Sequence, residues 1–179
     1  KYKHIESYKI NGFTDKKLVN SIRKCVIEII KNYNFNLIFD CGCGDGSVSG
    51  NLVDNNRKII GIDISEGMCK IAREKGLETF KLDMKQLSKK PLRELLGTNF
   101  IKKSSKECII FCESLGCIEK PLEIVDGFCL KNEEPRYLLF SFPNQNSIIR
   151  KVVNFLHNNE VKYFSISKLK KIVSKYNFE

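Results

Sequence analysis

Apolar positions along the chain fall into two rhythms. Leu18, Val19, Ile22, Cys25, Val26, Ile29 and Ile30 recur at three- and four-residue spacing, while Lys16, Lys17, Arg23, Lys24 and Lys31 fall mostly elsewhere, which predicts an amphipathic helix over 15–31. After a linker at 32–36, short apolar runs at 37–41, 58–62, 78–82, 108–112 and 136–142 predict five strands. Between them the pattern predicts a short helix over 47–54, a helix capped by Ser65 and closed by Gly76, and a helical or irregular stretch over 84–97 containing Pro91. Pro121 opens a helix to about Leu130, and Pro143 halts the fifth strand. Helices over 146–156 and 167–176 follow, the last capped by Ser167 with Leu169, Ile172, Val173 and Tyr176 as its buried stripe.

Strands alternating with helices across short loops imply an α/β three-layer sandwich: a mostly parallel, doubly wound sheet with helices on both faces. The chain reads as one domain over 1–179, with an N-terminal extension and helix at 1–35 and a core at 36–179. In such sheets ligands bind beyond the carboxyl ends of the strands, where the strand order reverses. The expected strand ends are Asp40, Asp63, Asp83 and Glu113. Four acids at four consecutive strand ends are hard to assign to packing.

The first strand opens directly into a turn, Gly42-Cys43-Gly44-Asp45-Gly46. Its spacing misses the dinucleotide fingerprint: counted from Gly42 the third glycine is due at Ser47, and counted from Gly44 at Ser49. No Gly-Lys-Ser/Thr follows, so it is not a phosphate-cradling loop either. A rim of carboxylates would repel a pyrophosphate and accept hydroxyls, amines or a cation, so the expected ligand is nucleoside-like, without a phosphate chain.

Composition adds limits. The 179 residues are 42% hydrophobic and 29% charged, as in a globular protein with a substantial core. No run approaches the ~20 apolar residues of a membrane span, and the start lacks the apolar stretch of a secretory signal. The net charge of +10 is read first as a solvated basic surface and second as a nucleic-acid docking face. Eight cysteines sit mostly in apolar runs, and Cys41 and Cys43 are too close for a zinc knuckle, so they read as buried reduced thiols, with no metal, in a cytoplasmic setting.

The ordered segments resemble class I S-adenosylmethionine-dependent methyltransferases. Phe39-Asp40-Cys41-Gly42-Cys43-Gly44-Asp45-Gly46 is similar to the first motif of that superfamily, Gly61-Ile62-Asp63-Ile64-Ser65 to the second, Leu82-Asp83-Met84 to the adenine-contacting segment, and 111–119 to the segment ending strand four. Within it, Gly76-Leu77-Glu78, Glu119-Lys120-Pro121-Leu122-Glu123 and Ser141-Phe142-Pro143-Asn144 resemble the small, MetW-like branch. The resemblance implies a Rossmann-like methyltransferase fold with S-adenosylmethionine as cofactor. It places Gly42, Cys43, Gly44, Asp45 and Gly46 under the methionine part, and Asp40 on that turn or on the amino group. Asp63, followed by Ile64, takes the ribose hydroxyls. Asp83 and Met84 take the adenine, and Glu113, Ser114 and Leu115 line the methyl region. Alternatives stand beside these roles: Asp45 as a cap of the next helix, Met84 as core, Glu113 as a solvent-facing side chain.

Methyl transfer from a sulfonium needs alignment and dryness more than proton transfer. Glu113 is the one acid expected near the methyl position, and so the candidate base for a protic acceptor. A small-molecule acceptor is the first reading. An RNA or protein methyltransferase docking through lysines is the second, and a non-catalytic cofactor-binding or regulatory subunit the third. The chain ends about where the last two strands of the superfamily sheet are due. Three alternatives stand: the protein continues past this sequence, a further copy or a partner covers the sheet edge, or the sheet is a reduced variant. In the first two, Phe140, Phe142, Phe164 and Phe178 are expected to line an exposed apolar edge.

Overall fold

The computed structural model describes residues 16–97, 106–132, 137–141, 165–176 and 178, with the side chains of the first helix described from Asn20 onward. Five parallel strands form one sheet: β1 (Leu37–Cys41), β2 (Lys58–Asp63), β3 (Glu78–Lys81), β4 (Glu107–Cys112) and β5 (Tyr137–Ser141), in the order β3-β2-β1-β4-β5. The helices are α1 (Lys16–Tyr33), α2 (Glu66–Glu74), α3 (Leu92–Leu95), α4 (Pro121–Lys131) and α5 (Ile166–Val173). Single 3₁₀ segments stand at Ser49–Leu52, Met84–Ser88 and Leu115–Cys117.

Strand alternation sorts the core into two layers. Leu37, Phe39 and Cys41 of β1, with Ile60, Ile62, Ile109 and Phe111, bury against Leu87, Leu92, Val125, Phe128 and Leu169. Ile38, Ile59, Cys108 and Ile110 face the other way, onto Val26, Ile30, Leu52, Ala72 and Leu77. The order reverses between β1 and β4, which places the cleft of this sheet class at their carboxyl ends.

Several expectations shift in detail. Ser65 caps α2, its hydroxyl accepting from Met68 N, and Gly76 closes the helix at φ +90°. The cap of α5 is Ser165, whose extended backbone lets its hydroxyl accept from Lys168 N; Ser167 lies inside the helix instead. The expected helix over 47–54 shrinks to the 3₁₀ segment at Ser49–Leu52. Cys25 and Cys117 are exposed rather than buried, Cys25 because the apolar stripe of α1 is narrower than its spacing suggests. Phe140 stacks on Phe111 with centroids 5.4 Å apart and Phe178 lies 6.4 Å from Phe128, so both turn inward instead of lining an exposed edge. Phe142, Phe164 and the helix expected over 146–156 lie outside the described residues.

One glycine inside a helix marks a contact invisible to the hydrophobic pattern. A Cβ at Gly127 of α4 would stand 2.5 Å from Ser88 Cβ and 2.8 Å from Ser88 Cα. Alanine ordinarily gains about 1 kcal/mol over glycine in a helix. Here Gly127→Ala is expected to lose roughly 1–3 kcal/mol through overpacking. Urea unfolding showing the variant more stable than the parent would refute this close approach.

Candidate functional site

The turn after β1 is built by hydrogen bonds to its neighbour strand. Gly42 N and Cys43 N both donate to Ile62 O, at 2.7 and 3.0 Å, and Gly46 N donates to Cys43 O at 3.0 Å. Gly42, Gly44 and Gly46 all have positive φ, at +82°, +53° and +73°. They do different work. A Cβ on Gly42 would lie 2.4 Å from Ser114 Cβ and 3.1 Å from Met84 Cε, so Gly42 is small because the end of β4 and Met84 press on it. A Cβ on Gly44 would meet none of the described residues within 4 Å, which leaves Gly44 as the point where a ligand can approach backbone.

Asp63, the last residue of β2, ties this turn down. Its Oδ2 accepts from Gly44 N at 3.0 Å and its Oδ1 from Ser65 N at 2.9 Å. Each oxygen keeps further acceptor capacity for donors arriving from the cleft. Ile64 follows, half-buried, before the α2 cap.

Asp40 departs from the expected rim. It pairs with Gly61 and Ile110 inside the strand ladders, is 2% exposed, and shares a face with Ile38 rather than standing at a strand end. The rim therefore holds three carboxylates, Asp63, Asp83 and Glu113, with Asp40 beneath them. Ser49 Oγ donates a short hydrogen bond to Asp40 Oδ2, while Asp40 Oδ1 has no hydrogen-bond partner among the described residues. Burial pushes the Asp40 pKa up to about 6; the Ser49 bond opposes the rise and the nearby Asp63 charge adds to it.

Asp45 turns to local partners. Its Oδ1 accepts from Ser47 N at 3.0 Å and from the Ser47 hydroxyl at 2.6 Å, and its Oδ2 pairs with Lys75 Nζ at 2.9 Å. Desolvation pulls its pKa up, but the Ser47 and Lys75 bonds outweigh that and hold the carboxyl below its ordinary value. These bonds form an Asx turn over Ser47; the 3₁₀ segment that follows has Val48 at its N-cap position and no side-chain cap. Cys43 is buried, and a Cβ on Gly61 would fall 2.8 Å from its sulfur.

On the far side, Asp83 accepts from Lys85 N at 2.9 Å and opens the 3₁₀ segment that begins with Met84. Met84 is partly buried on the α4 side of the core while its methyl end reaches Gly42, so the core and site readings of this residue coincide. Glu113 follows β4 with φ +55°, a conformation costly for a residue with a side chain, and its N donates to Ser141 O at 2.9 Å. Ser114 is 8% exposed and its hydroxyl has no hydrogen-bond partner among the described residues. Leu115 is fully buried among Leu87, Phe111 and Phe128, behind the site rather than on its surface.

Sequence reasoning missed Ser49, Ser65 N and Lys75 as partners of the three acids. The one available signal was that Ser47 and Ser49 stand where the dinucleotide fingerprint has glycine. A hydroxyl there offers an acid a donor.

A methyltransferase-domain family model matches residues 38–96, which spans the glycine turn, Asp63, Asp83 and Met84. Two curated relatives are similar in sequence. An uncharacterised methyltransferase of Schizosaccharomyces pombe is 36% identical over 69 residues, covering 37% of this chain and 26% of the relative. The ubiquinone biosynthesis O-methyltransferase of Bordetella parapertussis is 29% identical over 111 residues, covering 61% and 43%. The matched stretch is thus less than half of either relative. Among solved structures, magnesium protoporphyrin IX methyltransferase from Synechocystis PCC 6803 with bound SAH shares the fold at TM-score 0.63 and 18% identity. That alignment covers 89% of this chain and 71% of that one. Within the described residues no helix is long and apolar enough to cross a membrane. Strand order and turn are those of the Rossmann-like methyltransferase fold, and residues 38–96 are similar to a methyltransferase domain.

Proposed function

We propose that this chain binds S-adenosylmethionine over Gly44 and transfers its methyl group to a small-molecule acceptor in the cytoplasm, in the manner of the MetW-like branch. The observation that carries the reading is that, among the described residues, the space at Gly44 beside Asp63 is open and two buried oxygens around the same turn, Asp40 Oδ1 and Ser114 Oγ, have no partner. Buried polar atoms without partners are uncommon in native proteins, and a polar ligand or its waters satisfies them.

The bound cofactor supplies a methyl group already activated by a sulfonium charge. The chain supplies geometry. Asp63 offers its remaining lone pairs to the ribose hydroxyls while holding Gly44 in place. Asp83 and Met84 form the adenine side, and Glu113 and Ser114 the acceptor side. Glu113 stands ready to take a proton from a protic acceptor. A carboxylate mouth favours a neutral or cationic acceptor over a polyphosphate backbone, in accord with a small molecule despite the net charge of +10. The names of the similar proteins, a ubiquinone biosynthesis O-methyltransferase and a magnesium protoporphyrin IX methyltransferase, accord with a small-molecule acceptor.

Calorimetry with S-adenosylmethionine and, separately, NAD tests the site. Binding of the first in the low-micromolar range and not the second is expected; the reverse would overturn the reading. Formation of demethylated cofactor against a panel of small acceptors then tests transfer. Binding to RNA that weakens steeply with salt would instead favour the polymer acceptor.

A further inference from the structure

Asp40 is a buried acid whose surroundings do not complete a charge. An ionised carboxylate accepts several hydrogen bonds, and when buried it is costly unless it receives them or meets a cation. Among the described residues Asp40 receives one, from Ser49 Oγ to Oδ2, while Oδ1 receives none. Among the described residues the groups acting on it include no cation. From β2 comes the carboxylate of Asp63. Cys41 and Cys43 on its own strand and turn, and Cys108 and Cys112 on β4, are thiols that burial first and then Asp40 itself hold protonated. From α2, Cys69 acts on Cys43, and from α1 the charge of Arg23 reaches Cys112. The 3₁₀ segment offers only the Ser49 hydroxyl.

We infer that Asp40, positioned by Ser49, carries a proton in the ligand-free chain in mildly acidic solution and gives it up to solvent when a cationic cofactor fills the turn. The O–H bond of the acid breaks, the electron pair stays on the carboxylate, and the cofactor's positive charge supplies the compensation that the fold withholds. This rests on the proposed cofactor site. S-adenosylmethionine carries a sulfonium and an ammonium against one carboxylate, a net charge of about +1 at neutral pH, so its arrival favours the ionised acid. Ser49 is a positioning residue: it holds Asp40 Oδ2 and leaves Oδ1 as the oxygen that titrates.

The sign follows from linkage. An acid whose pKa is raised by folding binds its proton more tightly in the folded chain, so its contribution to ligand-free stability is present below the ordinary pKa of 3.8. It is lost as pH rises through about 6. Cofactor binding runs the opposite way, since proton release is easier at higher pH.

Two measurements on the unaltered protein test the inference. In the ligand-free chain the carboxyl ¹³C resonance of Asp40 is expected to titrate with a midpoint of about 6. A midpoint below about 4.5, within the usual carboxylate range, would overturn the proposal without any ligand present. Calorimetry with S-adenosylmethionine near pH 6, in two buffers of different ionisation enthalpy, is expected to show release of about half a proton per site. Affinity is expected to be about tenfold weaker at pH 5 than at pH 7. Ser49→Ala removes the bond that lowers the midpoint, so the pH dependence should move upward, a shift that simple loosening of the fold would not produce. Asp40→Asn should bind with no proton release. Tight binding with equal heats in both buffers would overturn proton release while leaving the cofactor site standing, whereas no binding at any pH would remove both.

Discussion

Asp63→Ala is expected to weaken S-adenosylmethionine binding by about ten- to a hundredfold, the equivalent of roughly 1.5–3 kcal/mol for charge-assisted hydrogen bonds. Two losses combine. Hydrogen bonds from ribose hydroxyls to a carboxylate disappear, and so does the 3.0 Å tether from Gly44 N that holds the turn where the ligand meets backbone. Asp63→Asn separates them. Its amide oxygen can still accept from Gly44 N, so the turn stays anchored while the charge is gone, and an intermediate affinity is expected. Calorimetry on the three proteins, with circular dichroism to confirm that each is folded, reads the series directly. An alanine variant within threefold of the parent would mean that Asp63 serves the fold alone. If the asparagine variant is as weak as the alanine variant, charge rather than turn geometry dominates the site.

Much of this architecture is legible because it depends on local signals. Leu37–Cys41 and Lys58–Asp63 are dense in Ile, Leu and Phe, bounded by turn residues, and buried on both faces. The α2 helix announces both ends, Ser65 with a free hydroxyl and Gly76 with its tolerance for φ +90°. Asp63 and Asp83 stand at or just beyond strand ends, as an acid closing an apolar run suggests. Asp40 broke the same rule for a reason no local pattern carries. An acid in an apolar run reads as the end of a strand, yet Ser49, nine residues on, gives it a buried partner and lets β1 continue through it to Cys41. The three glycines of the turn look alike in sequence, and only the fold shows that Ser114 presses on Gly42. By sequence Ser167 is the expected cap of the last helix, and the structure moves the cap to Ser165. Only the extended backbone at Ser165 decides between them.

The least legible feature lies at the opposite end of the sheet from the site, and Glu107→Ala tests it. Glu107 is 4% exposed at the first position of β4, beside Leu37, and forms a short ion pair with Arg93 of α3. The Arg93 guanidinium also lies 5.6 Å from the centroid of the Phe39 ring. Neither residue stands out in sequence, since Arg93 sits in a short helix after Pro91 and Glu107 continues a polar stretch that includes Lys106. Alanine at 107 removes this carboxylate from the largely buried guanidinium. The expected cost is about 3–5 kcal/mol, the usual effect of deleting one partner of a buried ion pair. For a chain of this size that is a fall in Tm on the order of 10 °C. Replacing both members, Arg93→Met with Glu107→Leu, should recover most of the loss, since the pair's mutual attraction largely offsets its own desolvation. Because β4 begins at Glu107 and the cleft lies past Cys112, cofactor affinity of the folded fraction should stay unchanged in both variants. A stable Glu107→Ala protein would show that Arg93 finds water or another acceptor. A folded variant with weakened cofactor binding would show that strain at the amino end of β4 reaches Glu113 and Ser114 through the strand itself.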